Sequence, residues 1–229
     1  MKRDFDKFGG SYYEQLSKLI RNYGGEEAPY YNRLKADLLL SLVTLFLGSP
    51  SRLGFLDLGC GIGLSEMHLM PKFASGAAID LSRGMLKERM EKERCLFLQA
   101  DATNLPFENH SFDIAFSFTL IHHIPLERRS HIIREMNRVV KPGGLVINFD
   151  HNPLKPLTRH IVGRCEYDRG TVLNRLGKTE KIYREEGIEV IKKGYFIFFP
   201  KSLSFLRGFE RHLAWLPLGG QYYVVGLVS

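Results

Sequence analysis

Apolar residues recur along this chain with two different periods, and the alternation between them outlines a fold. Short runs rich in Val, Ile, Leu and Phe predict strands at about 53–58, 75–80, 95–100, 112–118 and 145–149. Between them, helical spacing predicts helices over 64–73, 83–92 and 126–140, with Ser82 placed to cap the second. Strand and helix in regular succession predict a parallel, doubly wound sheet. Upstream, Leu34, Leu38, Leu42, Leu45 and Phe46 repeat at helical spacing, so 11–47 reads mainly as helix until Gly48-Ser49-Pro50-Ser51 breaks it. Downstream the pattern changes. Residues 151 to about 175 show no clear period, 177–186 reads as a short helix, and 190–199 and 220–228 read as strands.

One joint in this pattern is chemically distinctive. The strand ending Phe55-Leu56-Asp57-Leu58 runs into Gly59-Cys60-Gly61-Ile62-Gly63, and the next strand ends at Ile79-Asp80. The glycines let the backbone turn without a Cβ, and a helix follows. A carboxylate at the tip of the second strand, Asp80, suits the two hydroxyls of a ribose. Dinucleotide loops read Gly-x-Gly-x-x-Gly and place a pyrophosphate on the helix N-terminus. Here the spacing is Gly-x-Gly-x-Gly, and Asp57 stands two residues ahead, where it would repel a phosphate and suit an ammonium. S-adenosylmethionine carries an ammonium, a ribose and a sulfonium, and no phosphate. It is therefore the expected cofactor.

Residues 53 to about 150 resemble the core of the class I S-adenosylmethionine-dependent methyltransferases, in the small-molecule, type 11-like branch. Four blocks carry the resemblance: Leu56 to Gly63; Ile79-Asp80-Leu81-Ser82 with Met85-Leu86; Gln99-Ala100-Asp101-Ala102 with Leu105-Pro106-Phe107; and Phe112-Asp113 leading to His122-His123-Ile124, with Lys141-Pro142-Gly143-Gly144 ahead of Leu145-Val146-Ile147. It implies a Rossmann-like, mostly parallel seven-stranded sheet whose last strand is antiparallel. An N-terminal helical cap (1–52), a cofactor core (53–150) and a substrate-side half (151–229) form one domain, with 200–219 inserted between the last two strands. By the same resemblance, Asp57, Gly59, Cys60, Gly61 and Gly63 hold the methionine part. Asp80 holds the ribose, Leu81 and Met85 sandwich the adenine, and Asp101 with Ala102 meets its amino group. Ser117 and Phe118 lie under the transferred methyl. Cys60 reads as a small filler rather than a nucleophile.

Methyl transfer needs a general base only when the acceptor is protonated. His122 and His123, after the fourth strand, and His151, after the fifth, are the candidate bases; a polar cap over the pocket is the competing role for the doublet. His131 does not complete a zinc spacing with them, so no metal is expected. Tyr12, Tyr13, Tyr30 and Tyr31 pack in the cap or close over the cofactor.

Composition adds limits. A chain of 229 residues makes one α/β domain with a cap. The N-terminus lacks the apolar core of a signal peptide, no run approaches a membrane span, and three scattered cysteines form no disulfide framework, so a cytoplasmic protein is expected. The net charge of +7 is concentrated late, with 13 Lys and Arg against 7 Asp and Glu over 151–215. An acidic or anionic lipid-linked acceptor, with peripheral contact to an anionic membrane face, would exploit that excess, though an ordinary solvated surface also accounts for it. A nucleic-acid substrate is the alternative; Ser117-Phe118-Thr119-Leu120 stands where base-amino methyltransferases carry Asn/Asp-Pro-Pro-Tyr/Phe, which argues against it. A third reading is a non-catalytic, cofactor-binding subunit of a complex.

Overall fold

The computed structural model describes residues 28–90 and 94–229, together with Asp6, Glu14, Ser17 and Lys18. Its strands are β1 (Gly54–Leu58), β2 (Ser75–Asp80), β3 (Leu96–Gln99), β4 (Phe112–Phe118), β5 (Val140–His151), β6 (Glu189–Phe196) and β7 (Gln221–Leu227). They form one sheet in the order β3-β2-β1-β4-β5-β7-β6. β7 runs antiparallel to both β5 and β6, while β3, β2, β1, β4 and β5 pair in parallel. The order reverses between β1 and β4, and in open α/β sheets the crevice at the C-terminal ends of such strands is where ligands bind.

The helices are α1 (Ala28–Leu47), α2 (Glu66–Leu69), α3 (Arg83–Lys87), α4 (Arg129–Val139), α5 (Pro156–Arg164), α6 (Leu176–Glu185) and α7 (Glu210–Leu213). They cover both faces of the sheet because the strands are apolar on both. On one face Leu56, Leu58, Ala115, Val146, Tyr222 and Val224 meet Ile132, Ile133, Met136 and Val139 of α4 and Ile182 and Tyr183 of α6. On the other, Phe55, Phe116, Phe118, Ile147 and Phe149 meet Ala36, Leu39, Leu42 and Val43 of α1. Successive strand side chains point to opposite faces, so neighbours in sequence serve different layers.

The expected sheet is present, and the differences are local. The helix expected over 83–92 ends at Lys87, although Ser82 caps it, its Oγ accepting from the Met85 amide at 3.1 Å. The one expected over 126–140 opens as a 3-10 turn at Leu126–Arg128 and becomes α-helical at Arg129. β5 begins at Val140 rather than 145, with an irregular register against β4 where Phe112 pairs Val140 and Ile114 pairs Leu145. Gly144 allows that approach, since a Cβ there would lie 2.5 Å from the Asp113 carbonyl oxygen. β6 stops at Phe196 because Ile197 takes φ +60°, a conformation a β-branched residue resists. Helix α5 falls in the stretch without a clear period. Its signal is Pro156 at the first turn, followed by Thr158 and Val162 at helical spacing on the buried side.

Candidate active site

The glycine loop after β1 sets the geometry of the site. Gly59, Gly61 and Gly63 have φ of +77°, +57° and +73°, a region that favours glycine. A Cβ on Gly59 would come within 2.7 Å of Leu120, whereas above Gly61 nothing lies within 4 Å. The Gly59 and Cys60 amides both donate to the Ile79 carbonyl, at 2.8 and 3.0 Å. The Gly61 amide donates to Asp80 Oδ2 at 2.9 Å, and Asp80 Oδ1 accepts from the Ser82 amide at 2.8 Å. The loop is thus stitched to the end of β2, and these three amides are not left to cradle a phosphate.

Its electrostatics point the same way. Asp57 is 2% exposed, and its Oδ1 has no hydrogen-bond partner among the described residues. Burial, and then the neighbouring Glu66, push its carboxyl well above the usual range, while Lys35 pulls it back. Burial also raises the Asp80 carboxyl and the Cys60 thiol, which therefore stays protonated. Lys35, from α1, lies 5.2 Å from the Phe118 ring centroid, and burial lowers its ammonium to about 8. A buried carboxyl group with one unpartnered oxygen, a buried amine and open space over Gly61 fit a zwitterionic amino-acid group attached to a nucleoside. They do not fit a pyrophosphate.

These residues line a cavity of about 1300 Å³ at the strand ends. Asp57, Gly59, Cys60, Gly61, Asp80, Leu81, Met85, Asp101, Ala102 and Phe118 all face it. Two of the expected cofactor residues do not. Ser117 points to the opposite face of the sheet, where its hydroxyl donates to Asn148 Oδ1 at 2.8 Å; strand alternation gives the cavity to Phe118 instead. Gly63, at the end of the loop, is not part of the cavity lining, and a Cβ there would sit 3.1 Å from Phe97. Asp101 faces the cavity but also closes its own turn. Its Oδ1 accepts from the Thr103 amide and hydroxyl, at 2.9 and 2.8 Å, and its Oδ2 lies 3.3 Å from Arg128. Tyr31 lines the cavity, while the Tyr30 ring lies under Lys201 and Arg207 and so joins α1 to the insertion. Tyr12 and Tyr13 lie outside the described residues.

The three histidines all line the cavity, in different environments. His122 is buried. Its Nδ1 lies 2.6 Å from Asp150 Oδ1 and its Nε2 lies 3.1 Å from Asp168 Oδ1. Burial opposes its charge, but the two carboxylates prevail and raise it to about 9. His123 Nε2 is 3.3 Å from the same Asp168 oxygen. The His151 ring centroid is 5.1 Å from that of His122, and burial, helped by that neighbour, lowers it to about 4. With no metal bound, His122 between its two carboxylates favours the imidazolium, which has no lone pair to offer, whereas His151 favours the neutral form. Lys35, Asp150 and Asp168 were not among the expected site residues. Lys35 reads as one polar position in an apolar helix, and Asp168 lies in the stretch without a period.

Residues 56–148 match the family model of a methyltransferase domain. Among curated relatives, a tRNA (carboxymethyluridine(34)-5-O)-methyltransferase of Arabidopsis thaliana is 42% identical over 108 residues, 46% of this chain and 26% of that protein. A demethylmenaquinone methyltransferase of Paenarthrobacter aurescens is 36% identical over 109 residues, 46% of this chain and 42% of that protein. The chain thus spans less than half the length of either relative. A solved S-adenosylmethionine-dependent methyltransferase from Thermotoga maritima superposes with a TM-score of 0.69 at 18% identity, covering 98% of both chains, a likeness of fold.

Proposed function

We propose that this chain, whose core is a class I S-adenosylmethionine-dependent methyltransferase domain, methylates a small-molecule acceptor held in the cavity at the strand ends. The observation that carries the reading is the glycine loop: its amides are already donated within the protein, and the groups around it are carboxylates and one amine. Asp57 and Lys35 suit the ammonium and carboxylate of the methionine part, and Asp80 the ribose. Leu81 and Met85 offer apolar surface to the adenine. S-adenosylmethionine supplies a methyl group on a sulfonium with a neutral leaving group, so alignment and the exclusion of water are what the protein must add.

The rest of the cavity suits that task. Leu157, Ile161, Val162, Tyr167, Phe198 and Phe199 give it an apolar wall on the substrate side. His151, neutral and facing the cavity, is the available proton acceptor for a hydroxyl acceptor. One observation favours an acceptor of lipid type. The insertion after β6 contributes Phe198 and Phe199 to the cavity wall and exposes Phe205, Phe209, Trp215 and Leu218 beside Arg211. Aromatic and basic residues together suit a membrane interface. Incubation with methyl-labelled S-adenosylmethionine and separate metabolite, lipid-extract and tRNA pools, read by mass spectrometry, tests the proposal. Label in a metabolite or lipid is expected. Label confined to tRNA, or in no pool, contradicts it.

A further inference from the structure

We propose that His122, His123 and Asp168 form a binding site for one divalent transition-metal ion on the cavity wall. The ion would be held by the two Nε2 atoms and a carboxylate oxygen. The three ligand atoms lie within 4.8 Å of one another, and Asp168 Oδ1 is 3.1 Å from His122 Nε2 and 3.3 Å from His123 Nε2. Bonds of about 2.1 Å to a tetrahedral ion place neighbouring ligand atoms roughly 3.4 Å apart. The two distances to the carboxylate oxygen are therefore already close to what an ion would impose, and the two imidazole nitrogens lie within 4.8 Å of each other. Two imidazoles and one carboxylate select ions of the zinc, iron and cobalt type over magnesium or calcium, which take oxygen.

Three further observations support a built site. Asp150 is fully buried, and its Oδ1 lies 2.6 Å from Nδ1 of His122. A carboxylate on the far nitrogen fixes a metal-binding imidazole with its Nε2 lone pair toward the ion. The two halves of the cluster come from different segments, and a buried arginine locks them together. Arg129 donates to the His122 and Ile124 carbonyls, at 3.3 and 2.9 Å, and to the Val172 carbonyl and Asn174 Oδ1, at 2.6 and 2.5 Å. Asp168 is itself held in a 3-10 turn, Glu166–Asp168, its carbonyl accepting from the Thr171 amide and hydroxyl. Finally, His122, His123 and Asp168 all face the cavity, so three protein ligands leave a coordination position toward it. An acceptor oxygen or nitrogen would complete the sphere there.

The competing arrangement is a metal-free one, with a protonated His122 bridging Asp150 and Asp168. Metal titration separates the two without any assay of methyl transfer. Chelator-stripped full-length protein is titrated with Zn²⁺ by calorimetry and with Co²⁺ by visible absorption. One ion per chain is expected, with the intense d–d bands of a four- or five-coordinate Co²⁺. His123→Ala and Asp168→Asn should each weaken binding by roughly 100-fold or more, and Asp150→Asn by about 10–100-fold. His131→Ala, an exposed position on α4, should leave it unchanged. Circular dichroism checks each fold. Wild-type protein that binds neither ion, or correctly folded His123→Ala and Asp168→Asn variants that bind as tightly as wild type, would overturn the site.

Discussion

Asp80 performs two tasks with one carboxylate. It accepts from Gly61 and Ser82, which fixes the loop, and it faces the cavity. Asp80→Ala should weaken binding of S-adenosylhomocysteine by about 10–100-fold, the loss of charge-assisted hydrogen bonds worth roughly 1.5–3 kcal/mol. Calorimetry on the variant checks this, and unchanged affinity would remove Asp80 from the ribose. Lys35 makes a prediction about pH. Its folded value of about 8 lies below the ordinary 10.5. Below pH 8 both states hold the proton, and the full cost of burying the charge is present. Between 8 and 10.5 the folded state sheds its proton first, so stability attributable to Lys35 rises with pH. Lys35→Met should therefore be more stable than wild type at pH 7. The gap should close by up to about 1 kcal/mol per pH unit across that window. A gap that is constant from pH 7 to pH 10.5 in urea denaturation would contradict it. The loop and Asp80 were legible in the sequence because a local turn and a strand tip dictate them. Lys35 was not, because its role comes from packing one polar position of α1 against β1 and β4.

At the scale of elements, the strands follow from periodicity, since strong apolar runs leave few other ways to be buried, while the helices between them are shorter than it predicts: the one expected over 64–73 spans only Glu66–Leu69. Helix α5 and the loop after it escaped that reading. Contacts distant in sequence hold both: Thr158 of the helix donates to the Gly220 carbonyl, and Arg129 holds the loop through Asn174, 45 residues away. For the same reason the histidine doublet was legible as a pair but not its meeting with Asp168. Arg129→Met should show what this junction is worth. It strands four acceptors in a buried place, and the expected loss of stability is about 3 kcal/mol. A loss below about 1 kcal/mol in urea denaturation would mean that the turn and the loop hold together without it. Ser117 illustrates the opposite limit: the strand was right, yet its alternation turned that side chain away from the cavity.

For the whole molecule, the sheet order brings the C-terminal ends of β1, β2, β4 and β5 to one cavity, which the substrate half also lines. The cofactor residues and the histidines thus share one chamber. The surplus of positive charge lies in the later half, with the insertion that exposes Phe205, Phe209 and Trp215. Among the described residues no helix is long and apolar enough to cross a membrane. Which nucleoside cofactor enters the chamber decides the function of the molecule. Calorimetric titration of the purified full chain with S-adenosylhomocysteine and, separately, with NAD tests this most directly. One S-adenosylhomocysteine bound per chain and no heat from NAD are expected. Saturable binding of NAD with none of S-adenosylhomocysteine would contradict that expectation.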